Sequence, residues 1–307
     1  MKIIFLGTPQ FAADILKELA KTHHKVVAVV AQPDKPQNRG HKIEMPPTKL
    51  VANSLNIPVH QFKSITKEGD ILKSYNADII VTAAFGQILR ANVLEMCPHG
   101  VINVHASLLP KYRGSCPVPW SIVHGETKTG ITIMKTEAGI DTGDMIVIKE
   151  TDILPDETAG ELLSRLSPIG ANALIEALDQ IENGTAKYIK QDESKMTYFP
   201  MLDKDMGKLD FNKTATEIVN LVRGLNPWPL AFIMDGDTRI KIYKAEAVEN
   251  SSGQANGKVI SADDKIGLII KCKDGAVKLE TIQAPNSKKM NAKDYLRGNK
   301  INGINIS

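Results

Sequence analysis

Residues 2–31 constrain the fold more than any other stretch of the chain. Lys2–Leu6 has the pattern of a buried strand, Gly7-Thr8-Pro9 is a turn, and Phe11–Leu19 carries apolar residues at 11, 12, 15, 16 and 19, the stripe of an amphipathic helix. Lys25–Ala31 is a second β-rich run. A strand, a helix and a strand in so short a span form a βαβ unit, which requires a parallel sheet with a right-handed crossover. The turn is not GxGxxG, and no stretch resembles GxxxxGK[ST]. A nicotinamide site of the usual kind and a P-loop are therefore not expected.

The pattern continues with helices at 47–55 and 66–74, a strand at 78–83, a helix at 88–96, a strand at 101–104, a short helix at 117–124, strands at 130–135 and 145–150, and a long helix at 158–182. Residues 185–203 lose this periodicity and read as a linker. After it come a helix at 214–223 and short β-rich runs at 230–234, 239–248, 257–260, 266–272 and 276–284. The expected fold is α/β. A Rossmann-like, mostly parallel N-terminal domain over 1–184 is followed by a smaller C-terminal domain over 204–307, an antiparallel sheet or β-barrel that could serve as a nucleic-acid platform but lacks an aromatic stacking stripe.

Charge is divided unevenly. The whole chain carries a net +3, yet residues 204–307 alone, with 17 basic and 12 acidic side chains, carry +5. A second basic feature is the stretch 32–49, which has four prolines and Lys35, Arg39, His41, Lys42 and Lys49 against Asp34 and Glu44. It is expected to be a long irregular loop on the edge of the sheet where ligands bind, as a plain connection or as an arm that contacts phosphates. No apolar run reaches the roughly 18 residues of a membrane helix. The three cysteines, Cys97, Cys116 and Cys272, form no metal or disulfide spacing. A cytoplasmic protein with reduced thiols is expected.

Chemistry concentrates in residues 102–146. Asn103 and His105 alternate on a strand and so share a face. Ser107, the Leu109-Pro110 step and Gly114 shape a loop after it, and Asp141 returns in a glycine-flanked turn. An amide, an imidazole and a carboxylate without a convincing nucleophile suit electrostatic and acid–base work. Asn103 and His105 would donate to a developing oxyanion, and Asp141 would favour the charged imidazole and accept a proton through water. That suits transfer of a small acyl group to an amine. Other readings remain: a structural Asn–His pair, a Ser107–His105 hydrolase pair, or a zinc site from His99, His105, His124 and Asp141, which lacks ligand spacing. His23 and His24 read as the exposed end of a helix.

Four segments, Asn103-Val-His-Ala-Ser-Leu-Leu-Pro110, Tyr112-Arg-Gly114, Gly130-Ile-Thr-Ile-Met134 and Gly139-Ile-Asp-Thr-Gly-Asp144, resemble the formyl-folate-dependent formyltransferases. Residues 3–12, 32–42 and 223–231 narrow the resemblance to the branch that acts on methionyl-tRNA. The chain departs from the family pattern at Gln10, Asn38, His41 and Ser115–Pro119. The resemblance implies 10-formyltetrahydrofolate as donor, the amino group of initiator methionyl-tRNA as acceptor, and Asn103, His105 and Asp141 as the catalytic three. It implies a folate pocket lined by Phe85, Gly86, Ser107, Leu108, Leu109, Pro110, Gly139 and Ile140. It also implies tRNA contacts from Lys35, Arg39, His41 and Lys42 and from an OB-like C-terminal domain, in a monomer that needs no metal. An amino-sugar formyltransferase of similar length is the nearest alternative, and it would lack the basic loop.

Overall fold

A computed structural model describes residues 1–37, 42–251 and 253–301, with the backbone alone for 35–37 and 42–43. The chain forms two compact units. The first comprises Met1–Gly114, Lys128–Asp152 and Leu163–Phe199, and the second Ser115–Thr127, Ile153–Leu162 and Pro200–Ser307.

The first unit is built on a seven-stranded sheet. It opens with β1 (Lys2–Gly7), α1 (Gln10–Leu19) and β2 (Lys25–Ala31), the expected βαβ unit. All six apolar side chains of α1 are buried, which follows from their helical spacing. The basic stretch forms a short antiparallel hairpin, β3 (Lys35–Gln37) with β4 (Lys42–Glu44), so its arms are regular structure and not irregular loop. Arg39 and His41 lie outside the described residues. Then come α2 (Pro47–Ser54), β5 (Val59–Gln61), α3 (Ile65–Glu68), β6 (Ile79–Ala83), α4 (Ala91–Leu94) and β7 (Val101–His105). Two expected helices are shorter than their apolar patterns. After Glu68 the 66–74 segment tightens into a 3-10 helix, and at 88–96 only four residues are helical, because Arg90 is extended and Ile88 turns out to solvent.

The strand order is β10-β9-β7-β6-β1-β2-β5, where β9 (Lys128–Lys135) and β10 (Met145–Asp152) follow β8 (Arg113–Gly114) along the chain; α5 (Pro117–Val123), between β8 and β9, and the first turn of the long α6 (Ala159–Glu182) belong to the second unit. Pairing is parallel from β7 to β5, while β9 and β10 add antiparallel. The chain order reverses between β1 and β6. The connections that leave their C-terminal ends therefore part to opposite sides of the sheet, which leaves the crevice where open α/β sheets bind ligands. β11 (Tyr198–Phe199) pairs with β8 in a separate two-stranded ribbon.

The second unit holds α7 (Ala215–Gly224) and an antiparallel sheet, the OB-like half-barrel, of β12 (Ala231–Asp235), β13 (Thr238–Val248), β14 (Val259–Asp263), β15 (Gly267–Lys271) and β16 (Ala276–Gln283), in the order β12-β13-β16-β15-β14. β17 (Met290–Asn291) pairs with β16, and α8 (Ala292–Leu296) follows it. Alternate residues of these strands, among them Ile240, Ile242, Ile270, Val277 and Leu279, meet Ile218 and Val222 of α7 in one core. The start of α7 is a capping box. Thr214 Oγ1 accepts from Glu217 N–H, while Glu217 accepts from Thr214 N–H at 2.8 Å. Thr214→Ala removes one of these acceptors and is expected to cost about 1 kcal/mol, read as a lowered denaturant midpoint with an unchanged slope.

Candidate active site

β7 is the strand that carries the site, and its neighbours set the geometry. Parallel register places Thr82 of β6 beside Asn103, so both side chains stand on one face of the sheet. Thr82 Oγ1 lies 2.8 Å from Asn103 Oδ1, with the Ile102 carbonyl as a second acceptor at 3.3 Å. A hydroxyl donating to Oδ1 leaves the Asn103 amide nitrogen as the outward donor.

Two residues on, His105 is 5% exposed. One ring nitrogen, Nε2, lies 2.9 Å from the Tyr112 carbonyl, which only accepts, so Nε2 carries a hydrogen. The other, Nδ1, faces Asp141 Oδ2 at 3.7 Å. The same carboxylate oxygen accepts the Gly114 N–H at 2.8 Å. The expected three are thus together, and Asp141 is tied down by a backbone donor that the sequence did not suggest.

The path of the Asp141 turn is unexpected. β9 runs antiparallel to β7, and Thr136 donates to the Val101 carbonyl, at the end of β7 remote from His105. The turn must fold back along about 13 Å of strand to bring Asp141 to the imidazole. Gln191 holds it there. Its Nε2 donates to the carbonyls of Asp141 at 2.7 Å and Gly143 at 2.8 Å. Asp141 itself has φ of +51°, a left-handed conformation that aspartate tolerates better than most residues.

Gln191 is in turn fixed by Arg113, which is 4% exposed. The guanidinium donates to Gln191 Oε1 at 2.8 and 3.0 Å and grips both oxygens of Glu193. These hydrogen bonds hold the Glu193 carboxyl below its ordinary range. Gly114, at φ +96°, is required here because a Cβ would collide with the Phe199 carbonyl across the β8–β11 ribbon. Gln191, Glu193 and Thr197, whose Oγ1 accepts the Tyr112 N–H at 2.8 Å, all come from the stretch read as a linker. Their only sequence signal is the mixture of polar and aromatic residues that made the segment look irregular.

The expected pocket residues divide by what they touch. Ser107 is 1% exposed and its hydroxyl donates to the Lys111 carbonyl, so it shapes the loop from within. Leu109 packs on Met134 and Met145, and its N–H donates to Thr132 Oγ1 at 3.2 Å. The Phe85 ring is buried, and its carbonyl accepts from Gln32 Nε2 at 3.0 Å, next to Gly86 at φ +81°. Leu108 and Pro110 are half-buried, while Gly139 and Ile140 are exposed. Near the root of the basic hairpin, Thr8, Gln10, Gln32 and Glu44 line a cleft of about 350 Å³. Lys49 is committed to Asp34 and Gln61, each at 2.7 Å, and is not an open cation. Cys97 is buried and its thiol is pushed up to about 11, mainly by burial, so it is inert at neutral pH.

Gln191→Ala is expected to destabilise the chain by about 1–3 kcal/mol, since it leaves a buried guanidinium and two carbonyls short of partners. Hydrogen exchange should speed up selectively at 139–143. Unchanged exchange there would show that the turn holds itself.

Comparison with known proteins gives the family. Residues 1–178 match the profile of the family described as Formyl transferase, and residues 201–300 that of the Formyl transferase C-terminal domain. A methionyl-tRNA formyltransferase of Ruminiclostridium cellulolyticum is 43% identical over 98% of this chain and 97% of its own length. One from Clostridioides difficile is 44% identical over 98% of each chain. Among solved structures, an N-formyltransferase from Helicobacter canadensis, determined with folinic acid and dTDP-3-aminofucose, has a TM-score of 0.70 at 24% identity, covering 92% of this chain and 99% of its own. A sugar 3N-formyltransferase solved with dTDP and 5-N-formyl-THF gives 0.69 at 22% identity, covering 94% and 99%. With profiles matched in both halves and identities of 43 and 44% along nearly the whole chain, this protein belongs to the formyl transferase family, on the branch of the methionyl-tRNA formyltransferases.

Proposed function

We infer that this chain transfers the formyl group of 10-formyltetrahydrofolate to the α-amino group of methionyl initiator tRNA, supplying formylmethionyl-tRNA for translation initiation. The observation that carries the reading is the 43–44% identity with methionyl-tRNA formyltransferases over 98% of the chain, against 22–24% for the sugar formyltransferases that share the fold. Residues 1–184 carry the chemistry, and 204–307 engage the tRNA through their positive charge. The stretch 185–203 joins them.

The amine attacks the formyl carbon. A C–N bond forms and the carbonyl π electrons move to oxygen; as they return, the bond from carbon to N10 of the folate breaks and N10 takes up, through water, a proton equivalent to the one the amine loses, leaving tetrahydrofolate. Asn103 Nδ2–H donates to the oxyanion. His105, with Nε2–H on the Tyr112 carbonyl, uses its Nδ1 edge, as a second donor when protonated. Asp141 steadies that edge and accepts the amine proton through water. Phe85, Gly86, Ser107–Pro110, Gly139 and Ile140 form the folate pocket, in which Ile140, 56% exposed, supplies an apolar contact. Lys35, Arg39, His41 and Lys42 contact phosphates at the acceptor end, and the cleft at the hairpin root admits the aminoacyl group.

Support for the role of Asn103 comes from its fixed orientation: Thr82 holds Oδ1, so the nitrogen is presented without reorganisation. Asn103→Ala is expected to lower kcat by about 100- to 1,000-fold with KM for both substrates little changed. Thr82→Val, which keeps shape and removes the hydroxyl, should lower kcat in the same sense by less. A proportionate rise in KM instead would make Asn103 a binding residue.

The acceptor assay tests the whole reading. Purified protein should consume 10-formyltetrahydrofolate only with methionyl-tRNA present, and equal turnover with a nucleotide-linked amino sugar would overturn the assignment. Arg39→Ala should raise KM for tRNA while leaving folate binding intact. Acceptor affinity should fall with salt at a log–log slope of roughly −0.9 per duplex phosphate neutralised.

A further inference from the structure

His24 departs from its sequence reading. It is not part of an exposed helix end but begins the approach to β2 with its side chain fully buried. It sits against the last turns of α6, where Asp179 and Glu182, three residues apart, project from the same side of the helix. Asp179 Oδ1 is 3.1 Å from His24 Nε2 and 3.7 Å from His23 Nε2. Glu182 Oε2 is 2.9 Å from His23 Nε2 and 3.7 Å from His24 Nδ1. The two imidazole rings lie 4.0 Å apart, and one donor atom from each of the four residues falls within 4.8 Å of all the others.

We propose that His23, His24, Asp179 and Glu182 form a binding site for a divalent transition metal of the zinc type, on the edge of the first unit opposite to the formyl-transfer residues. Two imidazoles and two carboxylates are a ligand set that zinc accepts. A tetrahedral ion with bonds of about 2.0–2.1 Å sets its ligand atoms about 3.3 Å apart, and the observed separations of 2.9, 3.1 and 3.7 Å straddle that edge. Small rotamer changes of His23 and of the two carboxylates, all partly exposed, close the remaining difference.

Burial, followed by the nearby His23 and the Met1 amine, lowers the pKa of His24. Glu182 is held down to about 2, first by its hydrogen bond from the Met1 amine and then by His23, and is ionised. The Met1 amine donates to Glu182 Oε1 at 2.7 Å and lies 3.2 Å from His24 Nδ1, so Oε2 is the oxygen left for a metal. Topology separates this site from the catalytic one. His23 and His24 precede the N-terminal end of β2, whereas Asn103 and His105 end β7, which runs parallel to it in the same sheet. An ion here would clamp the α1–β2 connection to the end of α6. It would take no part in formyl transfer.

The test uses the full chain stripped with a chelator and dialysed, then titrated with Zn²⁺ alone against a chromophoric competitor. A single Zn²⁺ should bind per chain and raise the melting temperature, since the ion binds the folded state alone. His23→Gln and Asp179→Asn, both partly exposed positions, should each weaken binding by about tenfold or more with circular dichroism and formyl transfer unchanged. His99→Gln, an exposed histidine outside the cluster, should bind as wild type does. Co²⁺ in the same site should give the visible absorption of a four-coordinate nitrogen–oxygen complex. No uptake by wild type at micromolar ion would overturn the proposal. So would uptake that survives His23→Gln and Asp179→Asn, or that disappears only with Cys116→Ser. None of these failures touches the acceptor assay, so the metal site and the formyl-transfer reading stand or fall separately.

Discussion

The buried guanidinium of Arg113 is the interaction on which the rest of the site rests. A charge taken almost wholly out of water is tolerated only with a full set of acceptors, and Gln191 and Glu193 are those acceptors. Satisfying Arg113 therefore obliges residues 191–193 to lie against it. Once they do, Gln191 has an amide to spare for the Asp141 turn, and Tyr198–Phe199 fall beside Arg113–Gly114 as a second strand. One buried cation thus organises a backbone donor for Asp141, a clamp on its turn and the ribbon behind it.

The same economy appears on β7. A parallel sheet sets Thr82 against Asn103 by register alone, and a hydroxyl there orients an amide that would otherwise be free to flip. His105 is oriented by the Tyr112 carbonyl seven residues on, a contact made when the loop after β7 turns back. Each of these two side chains is held by a fixed neighbour, the arrangement that the proposed transfer needs to align its donors in advance.

Charge has two uses in this chain. The excess of basic residues after 204 is a net positive field, suited to a polyanion. At His23, His24, Asp179 and Glu182 the opposite holds: two carboxylates and two imidazoles converge on one point, the arrangement proposed for a compact cation.

Sequence alone determined the layers and most of the elements. Apolar periodicity is a local property, so β1, α1, β2, α6, α7 and, in the second unit, β12, β13, β15 and β16 were legible to within a residue or two, and the alternation along β7 already put Asn103 and His105 on one face. It overreached where a local pattern met a competing demand, as at 88–96, where Ile88 faces water and the helix shrinks to four residues. It missed what depends on chain reversal. Nothing in the residues around Asp141 says that the turn doubles back along β7, that Gln191, fifty residues later, holds it, or that His24 is buried against α6. Those contacts pair polar groups across long separations, and polar side chains carry no period. Their partners are chosen by which buried donors and acceptors must be satisfied once the sheet has closed, and only the tertiary structure decides that.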